Sequence, residues 1–189
     1  PGNLLLNPEI LDNGDDLRGG SFLIVIPDTV YYPYVRELAE WREALGFPAQ
    51  VVTLRTAGFT AEGLKNYLQN AYDTWEPPLE NVLLVGDIDG YLRIPSFRFA
   101  CGQDSITSDH GYTLLEGQDY FSDIHLGRLS VSTADELEAA IGKILSYEKQ
   151  PLLPGGDWLE SALLIADTSM LQADELLRWG EELLDDYGY

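Results

Sequence analysis

The stretch Phe22-Leu23-Ile24-Val25-Ile26-Pro27-Asp28 is an apolar run of strand length that stops abruptly at a proline and a carboxylate. It shows no polar alternation, so it fits a strand covered on both faces, as in a parallel sheet sandwiched by helices. Working outward, Val35, Leu38, Ala39 and Leu45 form a stripe at helical spacing that Gly46 and Pro48 bring to a stop. A second strand is expected over 50–54. Thr60 is placed to cap a helix that carries Leu64, Tyr67, Leu68, Ala71, Tyr72 and Trp75, with Pro77 and Pro78 just beyond it. A third apolar strand, 82–85, ends in Gly86-Asp87.

The polar stretch 89–123 follows, with a short strand expected over 112–115. A stretch of that length without periodicity marks a functional or ion-held loop more often than filler. A strand over 124–131 leads to Thr133 and Glu136, the spacing of a capping box, at the head of a helix bearing Leu137, Ala140, Ile141, Ile144 and Leu145. Pro151, Pro154, Gly155 and Gly156 punctuate the chain next, and a further strand, 162–166, and helix, 173–184, complete it.

Strands that alternate with helices imply right-handed crossovers. The expected fold is α/β: a mostly parallel sheet with helices on both faces, in three layers. Residues 1–20 read as an irregular lead-in, 21–150 as a first α/β subdomain, and 151–189 as the truncated start of a second. One strand and one helix cannot bury both of their faces, so that last part expects more chain or a partner. In such sheets the site lies beyond the carboxyl ends of the strands. Those ends are Pro27-Asp28, Gly86-Asp87 and Asp167-Thr168-Ser169.

The chain has 189 residues, 45% of them hydrophobic, and 32 acidic against 11 basic residues give a net charge of −21. Such a balance excludes a nucleic-acid phosphate backbone as partner, because lysines and arginines must neutralise it. Self-repulsion that keeps the chain soluble, calcium binding and a salty habitat each accommodate the acidity. No stretch reaches the roughly 18 consecutive apolar residues of a spanning helix, so no membrane span is expected. The start at Pro1 carries no signal pattern, which suits a mature or trimmed product. Cys101 is the single cysteine, so an internal disulfide framework is excluded.

Cysteine proteolysis needs a thiolate, a nearby histidine and N–H donors aimed at the oxyanion. Cys101 and His110 are the local candidates, yet they lie nine residues apart in an irregular stretch, and a packed cysteine beside a surface histidine is the better reading. His125, inside a strand, reads as packed or solvent-facing. Calcium is the better local hypothesis, since a hard cation takes six to eight oxygens. Asp87, Asp89, Asp109, Glu116, Asp119 and Asp123 could supply several. Asp87-Ile88-Asp89-Gly90 opens like an EF-hand loop, but Arg98 stands where the twelfth-position glutamate belongs, so that motif fails.

Taken in order, Val82-Leu83-Leu84-Val85-Gly86-Asp87, Ile94-Pro95, Ser108-Asp109, Gly117-Gln118-Asp119-Tyr120, Leu126-Gly127-Arg128-Leu129 and Tyr147-Glu148 resemble the first subdomain of gingipain-type cysteine peptidases. The resemblance implies a secreted or cell-surface peptidase built of two caspase-like subdomains and acting on protein or peptide substrates. It implies a catalytic histidine in a Gly-His-Gly setting and a later cysteine, both in the second subdomain. The sequence has no Gly-His-Gly, so no catalytic residue is assigned in this chain, and the remainder of the polypeptide, or a second processed chain, is expected to carry the pair. The resemblance also implies structural calcium at Asp87, Asp109, Asp119 or Asp123, and makes Asp167 a candidate selector of a basic substrate side chain, with helix capping by Asp167, Thr168 or Ser169 as the stronger alternative. A non-catalytic binding or processing module that kept the scaffold is the alternative.

Overall fold

The computed structural model describes residues 20–102, 104–150 and 173–187. The chain divides into two compact units, Pro1–Leu145 and Ser146–Tyr189. In the first, strand β1 spans Ser21–Ile26, helix α1 Tyr32–Ala44, β2 Ala49–Thr53, the single turn α2 Leu54–Ala57, α3 Ala61–Thr74 and β3 Leu79–Val85. Strands β4 (Phe97–Cys101) and β5 (Asp104–Ser108) follow, then β6 (His125–Leu129) and α4 (Ala134–Lys149), whose last residues fall in the second unit.

Four strands pair in the order β2-β1-β3-β6, all parallel. Side chains alternate across a strand, and β1 shows the result on both faces. Leu23 and Val25 pack with Leu54, Ala57, Leu64, Leu68 and Ala71 on the side of α2 and α3. Ile24 and Ile26 pack with Val35 and Leu38 of α1 and with Leu137, Ile141 and Leu145 of α4 on the other. The three layers expected from the unbroken apolar run are therefore present. Each fully buried leucine or isoleucine contributes about 1.5–3 kcal/mol relative to exposure, which makes β1 the strand least tolerant of a polar substitution.

The caps form as the sequence spacing requires. Thr60 Oγ1 accepts from the Gly63 N–H at 3.0 Å. Thr133 Oγ1 accepts from the Glu136 N–H at 3.2 Å, and Glu136 Oε2 accepts in return from the N–H groups of Ser132 and Thr133 at 2.7 and 3.2 Å. These contacts satisfy N–H groups that have no partner within their own helices.

The stretch between β3 and β6 differs from its sequence reading. It holds an antiparallel hairpin, β4 against β5, with Phe97 opposite Ser108 at the base and Cys101 opposite Asp104 at the tip. The strand expected over 112–115 is absent; Tyr112 closes a one-turn 3-10 helix, His110–Tyr112. Tertiary burial overrides local propensity here. Tyr112 is fully buried, its ring lies 4.9 Å from that of Phe97, and its hydroxyl donates to the Pro95 carbonyl at 2.7 Å. Ile94, Tyr112, Leu115 and Ile124 join the cluster on the α3 side, and Lys65 Nζ donates to the Gly111 carbonyl at 2.7 Å.

In the second unit, helix α5 spans Ala173–Tyr187, with an i, i+4 ion pair between Arg178 and Glu182 at 3.3 Å. The strand expected over 162–166 lies outside the described residues.

Candidate functional site

The carboxyl end of β3 is shaped by Gly86. Its φ is +138°, and a Cβ there would overlap the Leu92 carbonyl oxygen and come within 2.9 Å of its carbon. No other residue can make that approach. The chain turns back at once: the Ile94 N–H donates to the Asp87 carbonyl at 2.8 Å, and Asp87 and Arg93 form an isolated parallel bridge. Asp87 Oδ1 accepts from the Ile88 N–H at 2.7 Å and from the Ser130 hydroxyl at 3.1 Å, so this carboxylate ties the end of β3 to the end of β6.

Beneath this turn lies a group that the sequence reading did not single out. Arg128, on β6, donates through Nε and one terminal nitrogen to the two oxygens of Asp109, at 2.7 and 2.8 Å. Its remaining N–H groups reach the carbonyls of Gly86 at 2.9 Å, Ile94 at 3.0 Å and Pro95 at 3.1 Å. A guanidinium has five N–H donors in a rigid fork, and here all five are used. The side chains of Arg128 and Asp109 keep 11% and 22% of their surface exposed, so the pair is largely removed from water. Burial alone would raise the Asp109 carboxyl. The hydrogen bonds from Arg128 and Ser96, with the Arg128 charge, outweigh that and hold it below its ordinary value.

The hairpin sets Cys101 and His110 apart along the backbone. Cys101 is at the hairpin tip, whereas His110 follows the base; four residue steps of about 3.4 Å separate tip from base, roughly 14 Å. His110 lies 3.4 Å from the Thr113 hydroxyl through Nδ1, and Thr113 Oγ1 is 2.9 Å from Ser122 Oγ. His125 stands exposed at the start of β6.

The carboxylates proposed as calcium ligands are dispersed over separate tasks. Asp87 bridges β3 and β6, and Asp109 is committed to Arg128. Asp119 Oδ1 accepts from the Phe121 N–H at 3.0 Å. Asp123 Oδ2 accepts from the N–H groups of Leu115 and Glu116 at 2.7 and 2.8 Å, which fixes the turn before β6. Glu116 accepts from the Tyr72 hydroxyl at 3.1 Å. Among the described residues no group of three or more histidine, cysteine, aspartate or glutamate side chains is placed to hold a metal ion. Asp167 lies outside the described residues. Arg128 itself had a signal in the sequence: an arginine inside an apolar strand requires a buried partner.

Comparison with known proteins places this scaffold. The model of Peptidase family C25 matches residues 15–187. Gingipain R2 of Porphyromonas gingivalis is 24% identical over 187 residues, covering 93% of this chain and 24% of the relative. Lys-gingipain of the same organism is 29% identical over 160 residues, covering 82% of this chain and 9% of the relative. A solved structure described as a protease superposes with a TM-score of 0.64 at 27% identity, over 84% of this chain and 35% of that one. The complex of Porphyromonas gingivalis RgpB pro- and mature domains superposes with a TM-score of 0.60 at 24% identity, over 68% of this chain and 29% of that one, a likeness of fold. The chain thus spans about a quarter of the curated relative it matches over most of its own length. With a parallel four-stranded sheet, helices on both faces and a family match over nearly its whole length, this chain belongs to Peptidase family C25.

Proposed function

We propose that this chain is the front α/β portion of a secreted or cell-surface, gingipain-like cysteine endopeptidase, and that it serves as scaffold for a Cys-His dyad carried on polypeptide outside it. The observation that carries this reading is the family match over residues 15–187. In the proposed reaction a thiolate attacks the peptide carbonyl, N–H donors hold the oxyanion, and the histidine protonates the leaving amine. Water then releases the acyl-enzyme. The present residues contribute rigidity: Arg128 and Gly86 fix the end of β3, beside which sites form in sheets of this kind. Asp167 remains the candidate selector of a basic substrate side chain. The partners are a protein or peptide substrate and the rest of the same polypeptide, or a second processed chain. A relative solved as a complex of pro- and mature domains supports that last point. Among the described residues no helix is long and apolar enough to cross a membrane.

The test is to assay the purified 189-residue chain on a mixed peptide library, with and without calcium, beside the full product of its natural gene. The short chain should be inert, and the full product should cleave peptides until its thiol is alkylated. Thiol-sensitive cleavage by the short chain that Cys101→Ala abolishes would overturn the reading. A full product without activity would leave a non-catalytic module.

A further inference from the structure

Between the end of β3 and Ile94 the chain makes a loop that is closed at its base, where the Ile94 N–H donates to the Asp87 carbonyl. Residues 88–92 form neither strand nor helix, and Asp89 and Gly90 are exposed in the middle of them. Gly90 has a φ of +81°, and a Cβ there would meet nothing within 4 Å. Among the described residues, neither the Asp89 carboxylate nor the Gly90 N–H has a hydrogen-bond partner.

Other aspartates are held. Asp87 Oδ1 takes the N–H of its own successor, Ile88, at 2.7 Å. Asp109 is closed on Arg128. Asp119 takes the Phe121 N–H, and Asp123 takes those of Leu115 and Glu116. Each of these four is also followed by a residue whose side chain crowds its nitrogen, whereas Gly90 has no side chain. The distinction matters because an aspartyl carboxyl carbon and the next backbone nitrogen are tethered at the spacing of a five-membered ring, so that their reaction is intramolecular and limited by whether both groups are free to meet. Hydrogen bonds and a fixed backbone normally keep them apart. At Asp89-Gly90 neither restraint is present.

We propose that Asp89-Gly90 is a site of spontaneous isoaspartate formation. The Gly90 nitrogen bonds to Cγ of Asp89, and the hydroxyl of the carboxyl group leaves with the amide proton as water, which gives a succinimide. Water then adds to the main-chain carbonyl carbon of Asp89. The bond from that carbon to the Gly90 nitrogen breaks, the nitrogen regains a proton, and the freed carboxylate is left on Cα. The main chain now runs through Cβ and Cγ, one methylene longer, with water the sole co-reactant, released and then taken up. The added length falls inside a loop pinned at Asp87 and Ile94, so the modified loop must bulge, and it carries Tyr91, 94% exposed, with it.

The test is to keep the 189-residue chain folded in neutral buffer and to withdraw samples over weeks. Isoaspartate is counted by methyl transfer from S-adenosylmethionine through an isoaspartyl methyltransferase, and is placed by peptide mapping, where the Asp89 peptide should split into two species of equal mass. It should accumulate at Asp89 at least about tenfold faster than at Asp87, Asp109, Asp119 or Asp123, which must first leave their hydrogen bonds. A smaller margin overturns the proposal. In urea the held positions should accelerate while Asp89 changes by less than about threefold; a larger rise at Asp89 would show that the folded loop protects it, and overturns the proposal too. Asp89→Glu keeps the charge but lengthens the ring that must close, so the signal in this peptide should vanish, and its survival would count against the assignment. Asn13-Gly14 can pass through the same kind of ring with loss of ammonia, which changes the mass and so is told apart; methylation that maps there alone overturns the proposal. Peptidase activity enters none of these readings, so the site stands or falls independently of the catalytic one.

Discussion

Replacing Arg128 by methionine keeps the length and apolar stem of the side chain and removes all five of its donors. Asp109 then stays largely buried with Ser96 as its remaining hydrogen-bond donor, and the carbonyls of Gly86 and Ile94 lose the guanidinium. Removing one member of a buried pair costs about 3–5 kcal/mol. Water can reach the part-exposed carboxylate, so about 3 kcal/mol is expected, a large share of a stability of about 5–15 kcal/mol. Urea unfolding reads this directly. With a slope of about 2 kcal/mol/M, the midpoint should fall by about 1.5 M. Arg128→Lys should lie between, because a point charge can hold Asp109 but cannot span three carbonyls. Adding Asp109→Leu to Arg128→Met should recover about 1–2 kcal/mol, since no buried charge is then stranded. A midpoint shift below about 0.3 M for Arg128→Met, at unchanged slope, would refute the reasoning.

Three further outcomes follow from the same geometry. Asp109 has a folded-state value below its unfolded one, so its contribution is present above the ordinary carboxylate range and is lost as pH falls through the folded value. Urea midpoints between about pH 5 and pH 2 should therefore drop less steeply in Asp109→Asn than in the parent, and equal slopes would remove the pair from the acid response. Gly86→Ala combines φ of +138° with an overlap on the Leu92 carbonyl, so a loss above about 2 kcal/mol is expected; a thermal midpoint within a degree of the parent would show that the turn relaxes freely. Removal of divalent cations with a chelator should leave the thermal midpoint of the 189-residue chain unchanged, because its described carboxylates do not converge; a fall of several degrees, restored by calcium, would show that they can gather around an ion.

The sheet and its covering helices were legible because burial on two faces leaves a compositional trace. Phe22 to Ile26 has no polar residue to face water, and Thr60 and the Thr133-Glu136 pair carry the helix starts in their side-chain chemistry. The stretch after β3 was not legible, because its order comes from contacts distant in sequence. Tyr112 is a good strand former, yet its hydroxyl is drawn to Pro95, seventeen residues away, and its ring to Phe97. The hairpin carries exposed Phe99 and Ile106 across from each other, a pattern too short to stand out among turn residues. For the carboxylates, composition shows acidity, whereas only coordinates show that Asp109 answers an arginine nineteen residues on and that Asp123 holds a turn.

The five-donor clamp of Arg128 grips the chain on either side of the hairpin, through Ile94 and Pro95 before it and Asp109 after it. Mechanically this is a collar, and strain introduced at the tip, around Gly102 with its φ of +64°, is expected to stop short of the sheet. The tip is accordingly the natural graft point on this scaffold, a place to splice in a fluorophore tag or an epitope whose length can vary while the body of the protein keeps its form.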